Sequence, residues 1–463
     1  MAKRRQQGPR SRPGSRRTPD PARRVAFDAL RSVHAEDAYA NLVLPPLLAQ
    51  RQLRGRDAAF ATELLAGTCR FEGTYDTVIE AAGGRPLSTL QPAVVDLLRL
   101  GTHQLLNMRV PTHAAVAATV DLAAATVGPR VTGLVNAVLR KVAVRTYHEW
   151  TTKLAKGLGE LDALALRTAH PPWIAAAYAD LLPPEELEAA LEANNVSAPV
   201  TLVVRPGLAR VEELIDAGAE PGRWSPYAAR WSGNPAELRQ VREGTAGVQD
   251  EGSQLAAWGL TRAPMAGQTG WWLDLCAGPG GKTALLAGLA NEQSARLLAT
   301  ELAPHRARLV AQGLRAYPTP PSVLVADGTY PAWRPAAFDR VLADVPCTGL
   351  GALRRRPESR WRRRPGDVEE LHRLQFGLLR TAAASVAPGG VVAYVTCSPH
   401  RRETIDVVAE VLAERGDLEP VPAATLLPEL PADAFVGDYL QLWPHRHGTD
   451  AMFAAYLRVK MNQ

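Results

Sequence analysis

The stretch Trp271-Trp272-Leu273-Asp274-Leu275-Cys276-Ala277-Gly278-Pro279-Gly280-Gly281-Lys282-Thr283 joins a short apolar run to a glycine-rich loop. The apolar run predicts a buried strand, and helical sequence from Lys282 to Leu289 follows the loop. Glycines in such a loop let backbone NH groups approach a ligand at the positive end of a helix dipole. The stretch therefore predicts an α/β fold with a ligand-binding loop after its first strand.

Strand and helix patterns continue to alternate beyond this loop. The predicted order is strand 296–300, helix 304–316, strand 322–326, strand 338–343, helix 368–386, strand 390–396 and helix 403–413. Such alternation predicts a doubly wound parallel sheet, in which ligands bind at the carboxyl ends of the strands.

The glycine loop fits neither of two common nucleotide motifs. A phosphate-binding loop would need glycine where Cys276 stands, and Gly278, Gly280 and Gly281 lack the spacing of the dinucleotide fingerprint. Acids at the ends of the next two strands, Glu301 and Asp327, suit the ribose and adenine of a nucleoside. We therefore expect S-adenosylmethionine as the cofactor.

Two cysteines follow the later strands, Cys347 after Asp344-Val345-Pro346 and Cys397 after Thr396. Neighbouring strands would open both thiols onto one cleft beside the cofactor loop. A thiolate that adds to carbon 6 of cytosine makes carbon 5 nucleophilic enough to accept a methyl group. Asp344 could hold the ring through N3 and the exocyclic amine. The basic run from His400 to Arg402 is expected to favour the Cys397 thiolate.

The sequence before the α/β region is helical from about residue 21 to residue 144. The predicted divisions are a basic disordered arm at 1–20, a helical domain at 21–147, a connector with a small α/β subdomain at 148–245, and the α/β domain at 246–463.

Composition limits the class of protein. The chain has 463 residues, 46% of them hydrophobic, and no apolar run long enough to cross a bilayer. Its four scattered cysteines suit a reducing compartment, so we expect a cytoplasmic protein without disulfides or a metal site.

Positive charge is concentrated in two places. Nine of the first 24 residues are Lys or Arg, so the arm either contacts RNA phosphates or is a solvated tail. A second cluster surrounds Trp361, and we favour nucleic-acid contact for it over a solvated face. Its members are Arg354, Arg355, Arg356, Arg360, Arg362, Arg363 and Arg364.

Several motifs together resemble known families. LLRLGTHQLL (97–106), THAAVAATVDLA (112–123) and VTGLVNAVLRKV (131–142) resemble the NusB-type helical RNA-binding domain. DLCAGPGGKT, ADVPC, VTCSPH, VQDEGSQ (248–254) and PHRHGTDAMFAAYLR (444–458) resemble the Sun/Nol/Nop family of RNA (cytosine-5) methyltransferases. Bacterial 16S ribosomal RNA members of that family also join a NusB-like domain to this catalytic domain.

The resemblance implies an all-α NusB-like domain followed by an α/β Rossmann-like doubly wound methyltransferase domain. It implies that Cys397 is the nucleophile and that Cys347 assists product release. The implied cofactor-binding set is Cys276, Ala277, Gly278, Pro279, Gly280, Gly281, Lys282, Glu301, Asp327 and Asp344. The implied partner is RNA, ribosomal rather than transfer RNA, with no DNA, membrane or obligatory protein partner.

The chain also departs from the family pattern. Glu301 replaces the usual Asp, Ala451 stands where Gly is common, and Val204-Arg205-Pro206 differs from the usual run. Three alternatives stay open: a transfer RNA enzyme, a DNA (cytosine-5) methyltransferase, and a non-catalytic RNA-binding or antitermination factor. The sequence identifies neither the modified cytosine nor the oligomeric state.

Overall fold

The computed structural model describes residues 19–265 and 269–461. The chain divides into two compact units, Met1–Lys156 and Gly157–Gln463. Nearly all of the basic arm expected at residues 1–20 lies outside the described residues. The finer domain boundaries at residues 147 and 245 stay a prediction.

The first unit is helical, as predicted. Its helices are α1 (Pro21–Ala35), α2 (Ala40–Gln50), α3 (Gly55–Gly83), α4 (Pro92–Leu106), α5 (Thr112–Thr126), α6 (Thr132–Val142) and α7 (Tyr147–Leu154). Two of the starts follow standard capping chemistry. Asp20 accepts the Arg23 NH before α1, and Thr146 with Glu149 forms a capping box before α7.

Half-buried ion pairs join three of these helices beside their apolar core. The Arg99 guanidinium lies 2.8 Å from a Glu72 oxygen and 2.6 Å from an Asp76 oxygen. Burial alone would lower the pKa of His34, but hydrogen bonds to Asp96 and Glu72 raise it to about 9. These charges connect α1, α3 and α4.

The second unit begins with helices and a small antiparallel sheet. Its elements are α8 (Glu160–Arg167), α9 (Pro172–Ala179), α10 (Pro184–Ala193), β1 (Val200–Val204), α11 (Val211–Asp216), β2 (Glu220–Pro221), β3 (Ala228–Trp231), α12 (Arg239–Glu243) and β4 (Ala246–Val248). The strand order is β2-β3-β1-β4. Arg205, in the run that departs from the family pattern, donates to the carbonyls of Gly244 and Gly313, so its guanidinium is used within the protein.

A larger sheet follows, with helices against it. Its elements are α13 (Glu251–Arg262), β5 (Trp271–Asp274), α14 (Gly281–Glu292), β6 (Arg296–Glu301), α15 (Pro304–Gly313), β7 (Ser322–Val325), β8 (Phe338–Asp344), α16 (Ser359–Arg362), α17 (Pro365–Ser385), β9 (Val386–Thr396), α18 (Ile405–Glu414), β10 (Leu418–Val421), α19 (Ala423–Leu426), β11 (Phe435–Val436), β12 (Tyr439–Gln441), α20 (Pro444–His447) and β13 (Phe453–Val459). The parallel strands have the order β9-β8-β5-β6-β7. The predicted α/β fold is therefore confirmed.

The sheet is not wholly parallel, which corrects the sequence-based expectation. β13 pairs with β9 in the antiparallel direction and is flanked in turn by β12 and β10. The segment 442–452 between β12 and β13 is shorter than the dozen or so residues that a parallel crossover needs. The C-terminal strands therefore extend the parallel part as antiparallel neighbours.

Within the described ranges, 19–265 and 269–461, no helix is both long and apolar enough to span a bilayer.

Candidate active site

The glycine loop connects β5 to α14. Gly280 has a φ of +111°, a left-handed conformation that side chains disfavour, and it precedes the first residue of α14. A Cβ on Gly278 would lie 2.2 Å from a Glu301 carboxylate oxygen, so only glycine fits there. The loop backbone is thus held close to the end of the neighbouring strand.

The other loop positions have mixed environments. Ala277 is buried and donates its NH to the Thr300 carbonyl, whereas Pro279 is exposed. Burial, followed by the charge of Asp274, raises the pKa of Cys276 well above its usual range. The Cys276 thiol is therefore harder to ionise than an ordinary cysteine.

Two of the predicted acids lie at the carboxyl ends of β6 and β7. Glu301 is buried and accepts the Gly278 NH at 2.9 Å and the Ala303 NH at 3.0 Å. Asp327 is exposed, and hydrogen bonds from the Thr329 hydroxyl and NH lower its pKa. Glu301 therefore supports the glycine loop, while Asp327 faces solvent.

Asp344, at the end of β8, forms an ion pair with Lys282. The Lys282 Nζ lies 2.8 Å from Asp344 Oδ2. Burial would lower the pKa of Lys282, but the charge of Asp344 and the hydrogen bond between them raise it. This pair places a fixed ammonium group among the predicted site residues.

Asp274, the last residue of β5, is fully buried. Its Oδ2 accepts the Thr283 hydroxyl at 2.7 Å, and its other oxygen has no hydrogen-bond partner within the described part of the chain. Burial raises the pKa of Asp274 from 3.8 to about 7.

The two predicted thiols are in contact. Cys347 Sγ and Cys397 Sγ are 3.4 Å apart, at the ends of the neighbouring parallel strands β8 and β9. The hydrogen bond from Cys347 lowers the pKa of Cys397, and the same bond, together with burial, raises the pKa of Cys347. Cys397 is consequently the thiol that ionises more readily.

The cations near Cys397 differ from those expected. Lys282 and Arg356 lower its pKa, whereas the basic run after Cys397 has other partners. Arg401 pairs with Asp406, and Arg402 binds Glu369 and Glu410. The expectation failed because the backbone after Cys397 turns these side chains toward α17 and α18.

Glu403 is a site residue that the sequence interpretation missed. It is fully buried and accepts the Thr348 NH at 2.8 Å, the Ser398 hydroxyl at 2.6 Å and the Gln375 amide at 3.1 Å. Thr348 follows Cys347 and Ser398 follows Cys397, so one carboxylate holds both thiol loops. The only signal in the sequence was an acid directly after a basic run.

The seven-arginine cluster does not form one surface. Arg354 and Arg355 bind Asp450, and Arg355 also binds Asp250 at 2.8 Å. Arg360 is fully buried and donates to the Ala169 and Asn194 carbonyls. RNA contact by buried Arg354 and Arg360 was thus a wrong expectation, because these guanidiniums bind other parts of the protein.

The remaining members of the cluster are more accessible. Arg356 and Arg364 are exposed, and Arg362 and Arg363 are half-buried. Arg363 also donates to the Thr348 carbonyl at 3.3 Å, beside Cys347.

Within residues 19–265 and 269–461, no group of three or more His, Cys, Asp or Glu side chains is arranged to hold a metal ion.

Two family models match the chain. The model described as 16S rRNA methyltransferase RsmB/F matches residues 261–458, and that of the NusB family matches residues 20–144.

Relatives match along most of their length. A Mycobacterium tuberculosis H37Rv protein bearing the name methyltransferase Rv1407 is 53% identical over 456 residues, which cover 97% of this chain and 99% of the relative. Ribosomal RNA small subunit methyltransferase B of Escherichia coli O6:K15:H31 is 32% identical, covering 88% and 93%. The Vibrio cholerae protein of the same name is 33% identical, covering 88% and 91%.

Solved structures share the fold. The crystal structure of PH0851 has a TM-score of 0.79 at 24% identity and covers 96% of this chain and 99% of that one. NSun6 from Pyrococcus horikoshii, solved with the S-adenosylmethionine analogue SFG, has a TM-score of 0.52 at 16% identity and covers 63% and 99%.

Proposed function

The chain belongs to the RsmB/F family of 16S rRNA methyltransferases and carries a NusB-family domain, and we propose that it methylates carbon 5 of a cytosine in 16S ribosomal RNA. S-adenosylmethionine is the methyl donor and RNA is the substrate. Ribosomal rather than transfer RNA is favoured because relatives that match over most of their length are named for small-subunit ribosomal RNA.

The observation that carries this proposal is the contact between two thiols beside the glycine loop. Cys347 and Cys397 are 3.4 Å apart, and Lys282 from that loop helps to lower the pKa of Cys397. A thiolate next to a cofactor loop supplies the nucleophile that an unreactive pyrimidine carbon requires.

The residues around the loop suit the cofactor. Gly278 leaves no room for a side chain against Glu301, and its NH donates to that carboxylate, so the loop is held at the end of β6. Leu302 is 66% exposed directly after Glu301 and offers an apolar surface to an adenine ring. We assign the cofactor to residues 276–282 with Glu301, Asp327 and Asp344. When bound, it supplies a methyl group on a sulfonium centre.

In the proposed reaction, the Cys397 thiolate forms a bond with carbon 6 of the cytosine. This addition breaks the carbon 5–carbon 6 double bond and moves its electron pair into the ring, which Asp344 holds at N3 and the exocyclic amine. Carbon 5 then accepts the methyl group as the methyl–sulfonium bond breaks. Loss of the carbon 5 proton restores the ring double bond as the Cys397–carbon 6 bond breaks. The thiolate returns to its starting state.

Cys347 is the group that we propose removes that proton. Its pKa is raised first by the hydrogen bond to Cys397, then by burial and by the charge of Cys397. Bonding of Cys397 to carbon removes that charge, so the pKa of Cys347 should fall once the adduct has formed. Cys347 would thereby become a base at the step that needs one.

The domain division proposed from the sequence assigns RNA binding to residues 21–147 and chemistry to residues 246–463, and it leaves residues 1–20 as either an RNA-contacting arm or a solvated tail. Accessible members of the arginine cluster, Arg356, Arg362, Arg363 and Arg364, are proposed to bind RNA phosphates near the thiols.

Bisulfite sequencing of total RNA from cells with and without the gene tests the proposed product. One 16S cytosine should resist conversion only when the gene is present, and a gene copy encoding Cys397→Ala should not restore resistance. If 16S RNA shows the same conversion in all three strains, the proposal is wrong.

A further inference from the structure

A groove lies on the second unit between α9, the start of α17 and His400. It has a volume of about 250 Å³, and Trp173, Asp180, Pro365, Val368 and His400 are among the residues that line it. Pockets for drug-sized ligands begin near roughly 300 Å³, so this groove suits a group the size of a single nucleobase.

The walls of the groove combine an aromatic ring with small apolar groups. Trp173 is half-buried, which fixes its ring while leaving part of it accessible. Pro365 and Val368 contribute apolar surface from the first turn of α17. Stacking on an aromatic side chain is a common way for proteins to hold an unpaired base.

Two of the three polar groups in the lining have opposite hydrogen-bonding character. Asp180 is exposed and accepts hydrogen bonds. His400 Nδ1 accepts the Arg402 NH at 3.1 Å, so in the neutral ring Nε2 carries the proton and donates. Burial lowers the pKa of His400, which favours that neutral form.

The third polar group is already used within the protein. Glu369 binds the Arg402 guanidinium through both carboxylate oxygens, at 3.1 and 3.2 Å. The lining therefore presents Asp180 as an acceptor and His400 as a donor.

Both ends of the groove connect to the loops that carry the thiols. His400 comes three residues after Cys397, which limits the separation of their Cα atoms to about 11 Å. Pro365 comes two residues after Arg363, whose guanidinium binds the Thr348 carbonyl next to Cys347. Exposed Arg364 adds positive charge beside Pro365. The groove is thus next to the place where the target cytosine would react.

We propose that this groove binds an unpaired base of the substrate RNA near the target cytosine, and that it favours a base with an exocyclic amine over uracil. This inference rests on the proposed RNA methylation and adds to it a determinant of substrate choice. Asp180 would accept the amine while His400 donates to the neighbouring ring acceptor. Uracil has no amine, and in the same orientation its O4 would face the Asp180 carboxylate while its N3–H would face the His400 donor, so both hydrogen bonds would be lost.

A phosphate group fits this lining less well. The groove contains two carboxylates, Asp180 and Glu369, and none of the described residues that line it is an arginine or a lysine. The cationic side chains Arg363 and Arg364 lie at its margin, where the RNA backbone would pass.

The first test combines an abasic scan with substitution of Trp173. The probe is a synthetic RNA containing the cytosine mapped by bisulfite sequencing, with each neighbouring base removed in turn. At one position, loss of the base should lower kcat/KM and weaken binding about tenfold in the wild type. Trp173→Ala should cause a similar loss on the intact RNA and little further loss on that abasic RNA.

Two further variants separate recognition from folding. Trp173→Tyr keeps an aromatic face and should retain most of the affinity, while thermal denaturation of Trp173→Ala should show a folded protein that has lost only the affinity. Asp180→Asn should bind RNA with uracil at the sensitive position nearly as well as RNA with the natural base. If Trp173→Ala weakens binding by the same factor on the intact RNA and on every abasic RNA, the groove proposal is refuted.

Binding also separates this proposal from the proposed function. If no cytosine is methylated, the proposed function fails, and anisotropy with oligocytidylate and oligouridylate decides the groove alone. The wild type should prefer oligocytidylate, and Asp180→Asn should reduce the preference. An equal preference for oligocytidylate in both proteins would overturn the groove proposal. If the RNA is methylated but no base removal reduces the effect of Trp173→Ala, the groove proposal is overturned and the proposed function stands.

Discussion

At the residue scale, the two thiols share one hydrogen bond but differ in charge. Because Cys397 ionises more readily, Cys397→Ala should abolish methylation and leave no covalent RNA complex. Cys347→Ala should still attack and methylate cytosine but release it slowly, so an adduct should survive denaturing electrophoresis. Cys69→Ala, a buried cysteine of the first unit, is the matched control and should behave like the wild type. An adduct trapped by Cys397→Ala instead would reverse the two roles.

Buried Asp274 predicts a pH dependence of stability. Its pKa is about 7 in the folded protein against 3.8 for the free carboxyl, so the folded state binds the proton more tightly. The contribution of Asp274 to the stability of the folded state is fully present below pH 3.8 and is lost as the pH rises through about 7. Asp274→Asn should remove this loss, worth up to about 1.4 kcal/mol per pKa unit.

Urea unfolding at pH 5 and pH 8 measures the effect. Relative to the wild type, Asp274→Asn should gain stability at the higher pH, while Asp339→Asn controls for loss of a carboxylate from the same sheet. Parallel pH dependences in the wild type and Asp274→Asn would contradict the assignment.

At the element scale, the connection between β5 and α14 depends on one backbone conformation. Gly280→Ala would put a side chain at a φ of +111° and its Cβ 3.0 Å from the Val310 backbone. We expect a loss of about 1–2 kcal/mol in stability and weaker S-adenosylmethionine binding by calorimetry. Gly313→Ala, where a Cβ would meet nothing within 4 Å, is the control and should leave binding unchanged. Equal affinities in the two variants would argue against a precise loop conformation.

Local patterns predicted these elements better than they predicted contacts between them. The apolar run at Trp271 and the glycines after it specify a strand, a turn and a helix through nearby residues alone. The Lys282–Asp344 ion pair joins residues far apart in the chain, as does the role of Glu403, so neither follows from local pattern. The strands after residue 414 were missed because Pro and Ala interrupt their short apolar runs.

At the scale of the whole molecule, charge should govern RNA affinity differently at accessible and buried arginines. Neutralising exposed Arg356 and Arg364 to Gln, or deleting residues 1–20, should flatten the salt dependence of RNA binding. The expected change is about 0.7 slope unit per lost single-strand contact. Fluorescence anisotropy over a range of salt concentrations measures it.

Arg360→Gln is the matched control for that experiment. Because Arg360 is fully buried and donates to the carbonyls of Ala169 and Asn194, it should lower thermal stability without changing the salt slope. Unchanged slopes in the exposed-arginine and arm variants would mean that those charges are only solvated.

The position of β13 has a consequence for synthesis on the ribosome. This strand, Phe453–Val459, lies between β9 and β12 and also pairs with β10, so it is internal to the sheet although it follows the other strands in the chain. Helices α1 to α7 pack against one another within the first 156 residues and can assemble during translation. The sheet under the thiols must wait for residue 459 to leave the exit tunnel. A nascent chain could thus carry a finished helical unit while β9 still exposes an unpaired edge, which is the interval when a chaperone would be needed most.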